Sequence, residues 1–166
     1  MVRNFDLTDA LDPVLDGRVA AGPATDVGST KKLFQAGDVV VSRLRSYLRE
    51  IALVRTSPDV QAVGSSEFIV LRHRDKVGTG LTPEALLVYL RSLPVQTILQ
   101  WSQDGSQHPR FNEDELLDVP VPQAVERTAP RLGKLVNEAL EARTETGRLL
   151  AKANSEIERF VLGSGK

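Results

Sequence analysis

Three arginines crowd into a short stretch, Ser42–Arg43–Leu44–Arg45 and on to Arg49. A guanidinium is a planar, permanently charged fork that can pair two N–H groups with a phosphate or with the O6/N7 edge of guanine. Arginines at the end of a strand therefore suit nucleic-acid contact, and they suit an ordinary solvated rim equally well. A second polar stretch runs from Asp104 to Arg110. There Gly105 allows close backbone approach, and Ser106, Gln107, His108 and Arg110 offer donors and acceptors matched to base edges. As a bare loop it is first of all polar surface. Ser65 and Ser66 form a third small polar group, beside Gly64.

Residues suited to catalysis are harder to find. An amino-methyltransferase needs an Asn or Asp followed by two prolines and an aromatic, together with a glycine-rich cofactor loop after a strand; the sequence has neither. Asp59 followed by Glu67 faintly matches the metal-binding carboxylates of restriction nucleases. The lysine such a site requires two residues after the second acid is replaced by Ile69, and Ser57–Pro58–Asp59 reads more simply as a turn. His73 and His108 lack ligand spacing. No nucleophile–base pair is recognisable. The expectation is a chain with no catalytic residues, no metal and no cofactor.

The elements that must position these groups can be read from punctuation and periodicity. Residues 1–30 hold few apolar side chains and several breakers (Pro13, Gly17, Gly22, Pro23, Gly28), which predicts a short helix or strand and then loop. KLFQAGDVVV, from Lys32, predicts a strand, a Gly37–Asp38 turn and a β-branched strand. IALVR at 51–55 and EFIVL at 67–71 predict two more, separated by turns at Ser57–Asp59 and Gly64–Ser66. The result is a small, mostly antiparallel sheet. Thr82–Pro83–Glu84 then carries the signals of a helix start: a capping hydroxyl, a proline at the first position and an acid near the positive end of the dipole. That helix is predicted to set Leu86, Leu87, Leu90 and Leu93 on one side and to end at Pro94. A second helix over 95–103 presents Val95, Ile98, Leu99 and Trp101, and Asn112 with Glu115 has capping-box spacing.

From about Glu126 onward the pattern changes. Alternating steps of four and three connect Leu132, Val136, Ala139, Arg143, Thr146, Leu150, Ala153, Ile157 and Phe160, a coiled-coil-type seam that is polar or small in its middle. At about 1.5 Å per residue such a helix is a rod of roughly 50 Å, too long to lay its whole apolar stripe on one small domain. Leu132, Val136, Ala139, Leu150, Ala153, Ile157 and Phe160 are thus the expected dimer or partner contacts. The division is a recognition domain over 1–122 and a long helix over 123–166, in the α+β class.

Bulk composition is that of an ordinary soluble domain, 41% hydrophobic and 26% charged, with only 5% aromatic residues, so that Leu, Val, Ile and Ala must build the core. The absence of cysteine excludes disulfides and thiolate metal sites. With no long apolar run and an acidic start, the expected location is the cytoplasm, without membrane association. The net charge of −1 does not advertise a nucleic-acid binder. Charge is unevenly spread, however: Lys31–Lys76 holds nine Lys or Arg against five acids, and the first thirty residues hold two Arg against five Asp. A basic face and a surface of mixed charge are both compatible with that distribution.

The order of blocks is more specific than any one of them. KLFQAGDVVVSRLR, GSSEFIVLR, LTPEALLVYLRSL and GSQHPRFNEDELLDVPVP, followed by a heptad-like helix, resemble the target-recognition domain of type I restriction–modification specificity subunits. Related domains occur fused to adenine-N6 DNA methyltransferases. The resemblance covers residues 31–122 and the helix after them. It implies a globular domain that binds double-stranded DNA by entering the groove, and a spacer helix that pairs with another such helix and docks a DNA methyltransferase subunit, with a restriction subunit as a candidate further partner. Family members carry two recognition domains and two spacers. This chain matches one half, which implies a homodimer through the C-terminal helix. Gly37–Asp38, Ser65–Ser66–Glu67–Phe68, Gly105–Ser106, His108–Pro109–Arg110, Pro120 and Pro122 carry the match. Base contacts vary between members; the DNA contacts expected here are Arg43, Arg45, Arg49, Ser65, Ser66, Ser106, Gln107, His108 and Arg110, with shaping of the backbone as the alternative role of Ser65 and Ser66. Two departures stand out: Glu126–Arg131 replaces the glutamine and isoleucine often found after the paired prolines, with Pro130 expected to start the helix late, and the N-terminal segment is short and acidic. A related defence system is compatible with these departures.

Overall fold

A computed structural model describes residues 1–73, 80–105 and 107–163. Its strands are β1 (Val2–Phe5), β2 (Val14–Leu15), β3 (Ala21–Gly22), β4 (Lys31–Phe34), β5 (Val39–Ser42), β6 (Ile51–Val54), β7 (Gln61–Ser65) and β8 (Phe68–Leu71). Four α-helices follow: α1 (Pro83–Leu90), α2 (Leu93–Trp101), α3 (Glu113–Leu117) and α4 (Gln123–Val161). The class is α+β, as expected, but the strands form two four-stranded sheets, ordered β3-β1-β7-β4 and β2-β6-β5-β8. Each contains one parallel pair, β1 with β7 and β2 with β6, among otherwise antiparallel neighbours.

The second sheet is the middle layer, and its composition shows why. Val39 and Val41 of β5 and Ile51 and Leu53 of β6 join a core with Leu87, Leu90, Val95, Leu99, Phe111, Leu116 and Leu140 from the helical side. Their alternates, Val40, Ala52 and Val54, join Phe5, Leu15, Phe34, Ala62 and Phe68 in a core between the two sheets. A strand buried on both faces has no polar alternate, hence the unbroken VVV and IALV runs. The turn between β4 and β5 is held by Asp38, whose carboxylate is buried, accepts from the Gln35 N–H (2.7 Å) and is forked by Arg72 (2.7 and 2.7 Å).

Of the first sheet only β4 was expected as a definite strand, and the short β2 joins the second sheet. Residues 1–30 supply β1, β2 and β3, pieces of two to four residues separated by the breakers and too short to show alternation. Strand β7 was expected to be turn around Gly64–Ser65. Gly64 lies instead within a strand because the ring of Phe34 covers it: a Cβ there would lie 2.2 Å from Phe34 Cζ. The same ring stacks near Phe5 (6.4 Å) and meets Phe68 edge-on (5.7 Å).

Helix α1 starts as expected, with the Thr82 hydroxyl accepting from the Ala85 N–H (3.2 Å), and α3 opens with the Asn112–Glu115 capping box. Other details are corrected. Pro94 lies in the first turn of α2, where its missing N–H costs nothing, so it opens that helix rather than closing α1. Leu93 and Trp101, expected on apolar faces, are 69% and 83% exposed. Pro130 does not delay α4, which begins at Gln123 and carries the proline inside. The proline lacks the N–H that would bond the Glu126 carbonyl. The chain at Gly80 passes beside that carbonyl, and packing of Ala129 and Gly133 on the domain holds the helix through the defect.

Candidate nucleic-acid interface

Three loops meet at the end of β5. The chain leaving β5 at Arg43 runs beside the segment leaving the 104–110 loop. Arg45 N–H donates to the Pro109 carbonyl (3.0 Å), Phe111 N–H donates to the Arg43 carbonyl (3.2 Å), and Leu44 faces Arg110 as an antiparallel bridge. Phe111, 1% exposed, sinks this seam into the helical core. The third loop is the β7–β8 turn. Its register places Ser42 opposite Phe68, so that Arg43 lies opposite Glu67, and the Arg43 N–H donates to the Glu67 carbonyl (3.1 Å).

Glu67 ties the side chains together. Its carboxylate accepts from Arg43 Nε (2.8 Å) and from Arg110 Nη2 (3.0 Å) and Nε (3.2 and 3.3 Å). Hydrogen bonding from Arg110 is the main cause that draws the Glu67 carboxyl down to about 2; partial burial opposes it and Arg43 reinforces it. The cluster is two guanidiniums sharing one carboxylate, with one net positive charge at neutral pH.

The remaining expected contacts are placed as follows. Arg45 and Arg49 bracket a 3-10 turn, Ser46–Leu48, and both adopt left-handed backbone, φ 52° and 55°. Such conformations are rare outside glycine and persist where surrounding bonds enforce them. Here Leu48 N–H donates to Arg45 (2.9 Å), and Arg49 N–H to Ser46 (2.8 Å). Arg49 is exposed, and its charge, after burial, helps lower the pKa of Arg91. The Ser65 hydroxyl accepts from the Glu67 N–H (3.2 Å) and so shapes the turn, while Ser66 is exposed at its tip. Gln107 and His108 are exposed, and the His108 carbonyl accepts from Arg110 Nη1 (3.2 Å). Ser106 lies outside the described residues.

Glu67 is the member that sequence reading did not assign to the interface. Only the β5–β8 pairing makes it the cross-strand neighbour of Arg43. It has no part in a carboxylate pair with Asp59, which accepts from the Ser57 hydroxyl (2.9 Å) in a local turn. Among the described residues no three His, Asp or Glu side chains gather as a metal-ligand set, and no helix is long and apolar enough to cross a membrane.

The expected helix contacts divide. Val136 packs against the helical core and Leu132 is half-buried, whereas Ala139, Leu150, Ala153, Ile157 and Phe160 are exposed. Leu140, between the two groups, is buried. Arg143, in the polar middle of the seam, bonds Asp12 (2.6 Å).

Among solved structures, one chain from a structure titled for the complex assembly and conformational transition of the type I R-M (restriction–modification) system superimposes with a TM-score of 0.61 at 26% identity, over 95% of this chain. The fold is R-M-related. This chain spans 40% of the length of that neighbour. No protein-family model matches the sequence, and no curated protein does.

Proposed function

We propose that the chain is a non-catalytic DNA-recognition (specificity) subunit of a type I-like R-M or related defence system, directing a separate adenine-N6 methyltransferase to its target. The observation that carries this reading is the Arg43–Glu67–Arg110 cluster, placed on three converging loops of a fold similar to a type I R-M chain. Arginines held in fixed orientation at a loop surface suit direct readout, while Arg45 and Arg49 beside them suit phosphates. The exposed end of α4 suits a second copy or the methyltransferase, in keeping with the neighbour's place in an R-M complex. On this reading the working unit is a homodimer of half-subunits, acting in the cytoplasm and reading two inverted half-sites.

A specific feature favours a second reading. Glu67 neutralises one of the two clustered arginines and the net charge is −1, which fits an assembly or inhibitory adaptor that engages a methyltransferase through α4 without reading DNA. Selection from randomised duplexes at two salt concentrations, with and without a type I methyltransferase subunit of the same genome, separates the two. The specificity-subunit reading expects an enriched motif and affinity that falls with salt. No motif under either condition overturns it in favour of the adaptor.

A further inference from the structure

The Glu67 carboxylate does not take the same edge of its two arginines. From Arg43 it receives Nε–H (2.8 Å), and among the described residues the terminal Nη1 and Nη2 of Arg43 donate to no acceptor. From Arg110 it receives both Nε and Nη2, and Nη1 of Arg110 donates to the His108 carbonyl (3.2 Å), so all three nitrogens are engaged. The backbone of Arg43 is fixed as well, since its N–H and carbonyl bond Glu67 and Phe111. Its side chain, 42% exposed, is thus held at its base and at Nε, with the terminal edge left without an acceptor among the described residues.

We infer that Arg43 is the base-reading residue of the interface, presenting its Nη1/Nη2 edge to the O6/N7 edge of a guanine, that Glu67 is its positioning residue, and that Arg110 is a buttress which locks Glu67. The inference rests on the DNA-recognition reading above and assigns the roles within that site. Two parallel N–H donors at the spacing of a guanidinium match guanine in the major groove and no other base edge as well. A fork already fixed in the free protein loses little rotamer freedom on binding. Arg45 and Arg49, whose side chains no hydrogen bond holds among the described residues, lack that preorganisation and suit the less directional contact to phosphate.

The test is selection and sequencing of bound duplexes by the full chain with its methyltransferase partner. In Arg43→Lys, preference for guanine at one position of the motif is expected to fall about 5- to 150-fold while the other positions persist, because lysine is a point charge without a fork. Glu67→Gln is expected to weaken preference at that same position, and Glu67→Asp, which keeps the charge, to restore part of it. A merely structural Glu67 would instead weaken binding to every sequence alike and lower the melting temperature with it. A wild-type motif that survives intact in both Arg43→Lys and Glu67→Gln overturns the inference and leaves the DNA-recognition reading standing. No motif from the wild-type complex overturns both.

Discussion

The two halves of α4 carry the same apolar period and meet opposite fates. Over its first half Ala129, Gly133 and Leu140 are buried, with Val136 packed on the helical core. From Glu141 to Val161 every residue is exposed, including Leu149, Leu150, Ile157 and Phe160. Steps of four and three run through both halves, so period does not distinguish them; what differs is whether the domain reaches that far. Helix α1 lies along the first half, where a Cβ on Gly133 would lie 3.4 Å from Thr82 Oγ1. Arg55, at the end of β6, bonds Asn137 and reaches Glu84 (3.5 Å). Among the described residues the last ion pair to the domain is Arg143–Asp12 (2.6 Å), and Thr144 and Glu145 still line a cleft with Val14 and Asp16. A heptad reading therefore assigns to one partner what two share: the chain's own domain takes the first half, and the second is left for another molecule.

Substitutions can sharpen or break that contrast. Leu140→Ala empties a buried position in the first half and is expected to cost about 2–5 kcal/mol, read by urea denaturation. A cost below 1 kcal/mol would show that the first half is not part of the core. Gly133→Leu forces a side chain against the start of α1 and is expected to cost roughly 1–3 kcal/mol with the helix content kept. Arg143→Ala, which removes an ion pair whose side chains are 51% and 22% exposed, is expected to cost only ~0.2–1 kcal/mol, less in high salt. The double change Ile157→Asp with Phe160→Asp is expected to leave monomer stability within about 0.5 kcal/mol, since both side chains are exposed. The same variant is expected to abolish self-association or capture of the methyltransferase, measured by sedimentation. Unchanged association would remove the distal stripe from the proposed interface.

Much of this molecule is legible in the sequence where local signals suffice. Thr82–Pro83–Glu84 marks the start of α1 because capping chemistry acts within one turn, and Asn112 with Glu115 marks α3 for the same reason. VVV and IALV identify the central strands, since a strand buried on both faces leaves a continuous apolar run. Strand β7 was illegible: Gly64–Ser65 carries turn chemistry by residue type, and only the Phe34 ring, brought across by β4, explains a glycine in a strand. Trp101 was expected on one face with Val95, Ile98 and Leu99, yet helix α2 buries Val95, Gln96 and Leu99 and leaves Trp101 exposed. Of the interface, the arginines were visible as residues, whereas their organiser was not, because Arg43 and Glu67 are 24 residues apart in the chain.

The chain's sequence by itself determined the α+β class, the central strands, the starts of α1 and α3, the presence of a long C-terminal helix and the clustering of arginines near a loop. These depend on periodicity and on contacts within one or two turns. The tertiary structure alone decided that there are two sheets rather than one, that half of the long helix belongs to the domain, and that one carboxylate holds Arg43 and Arg110. Each of these depends on strand pairing or helix docking between distant segments, which side-chain type does not encode locally.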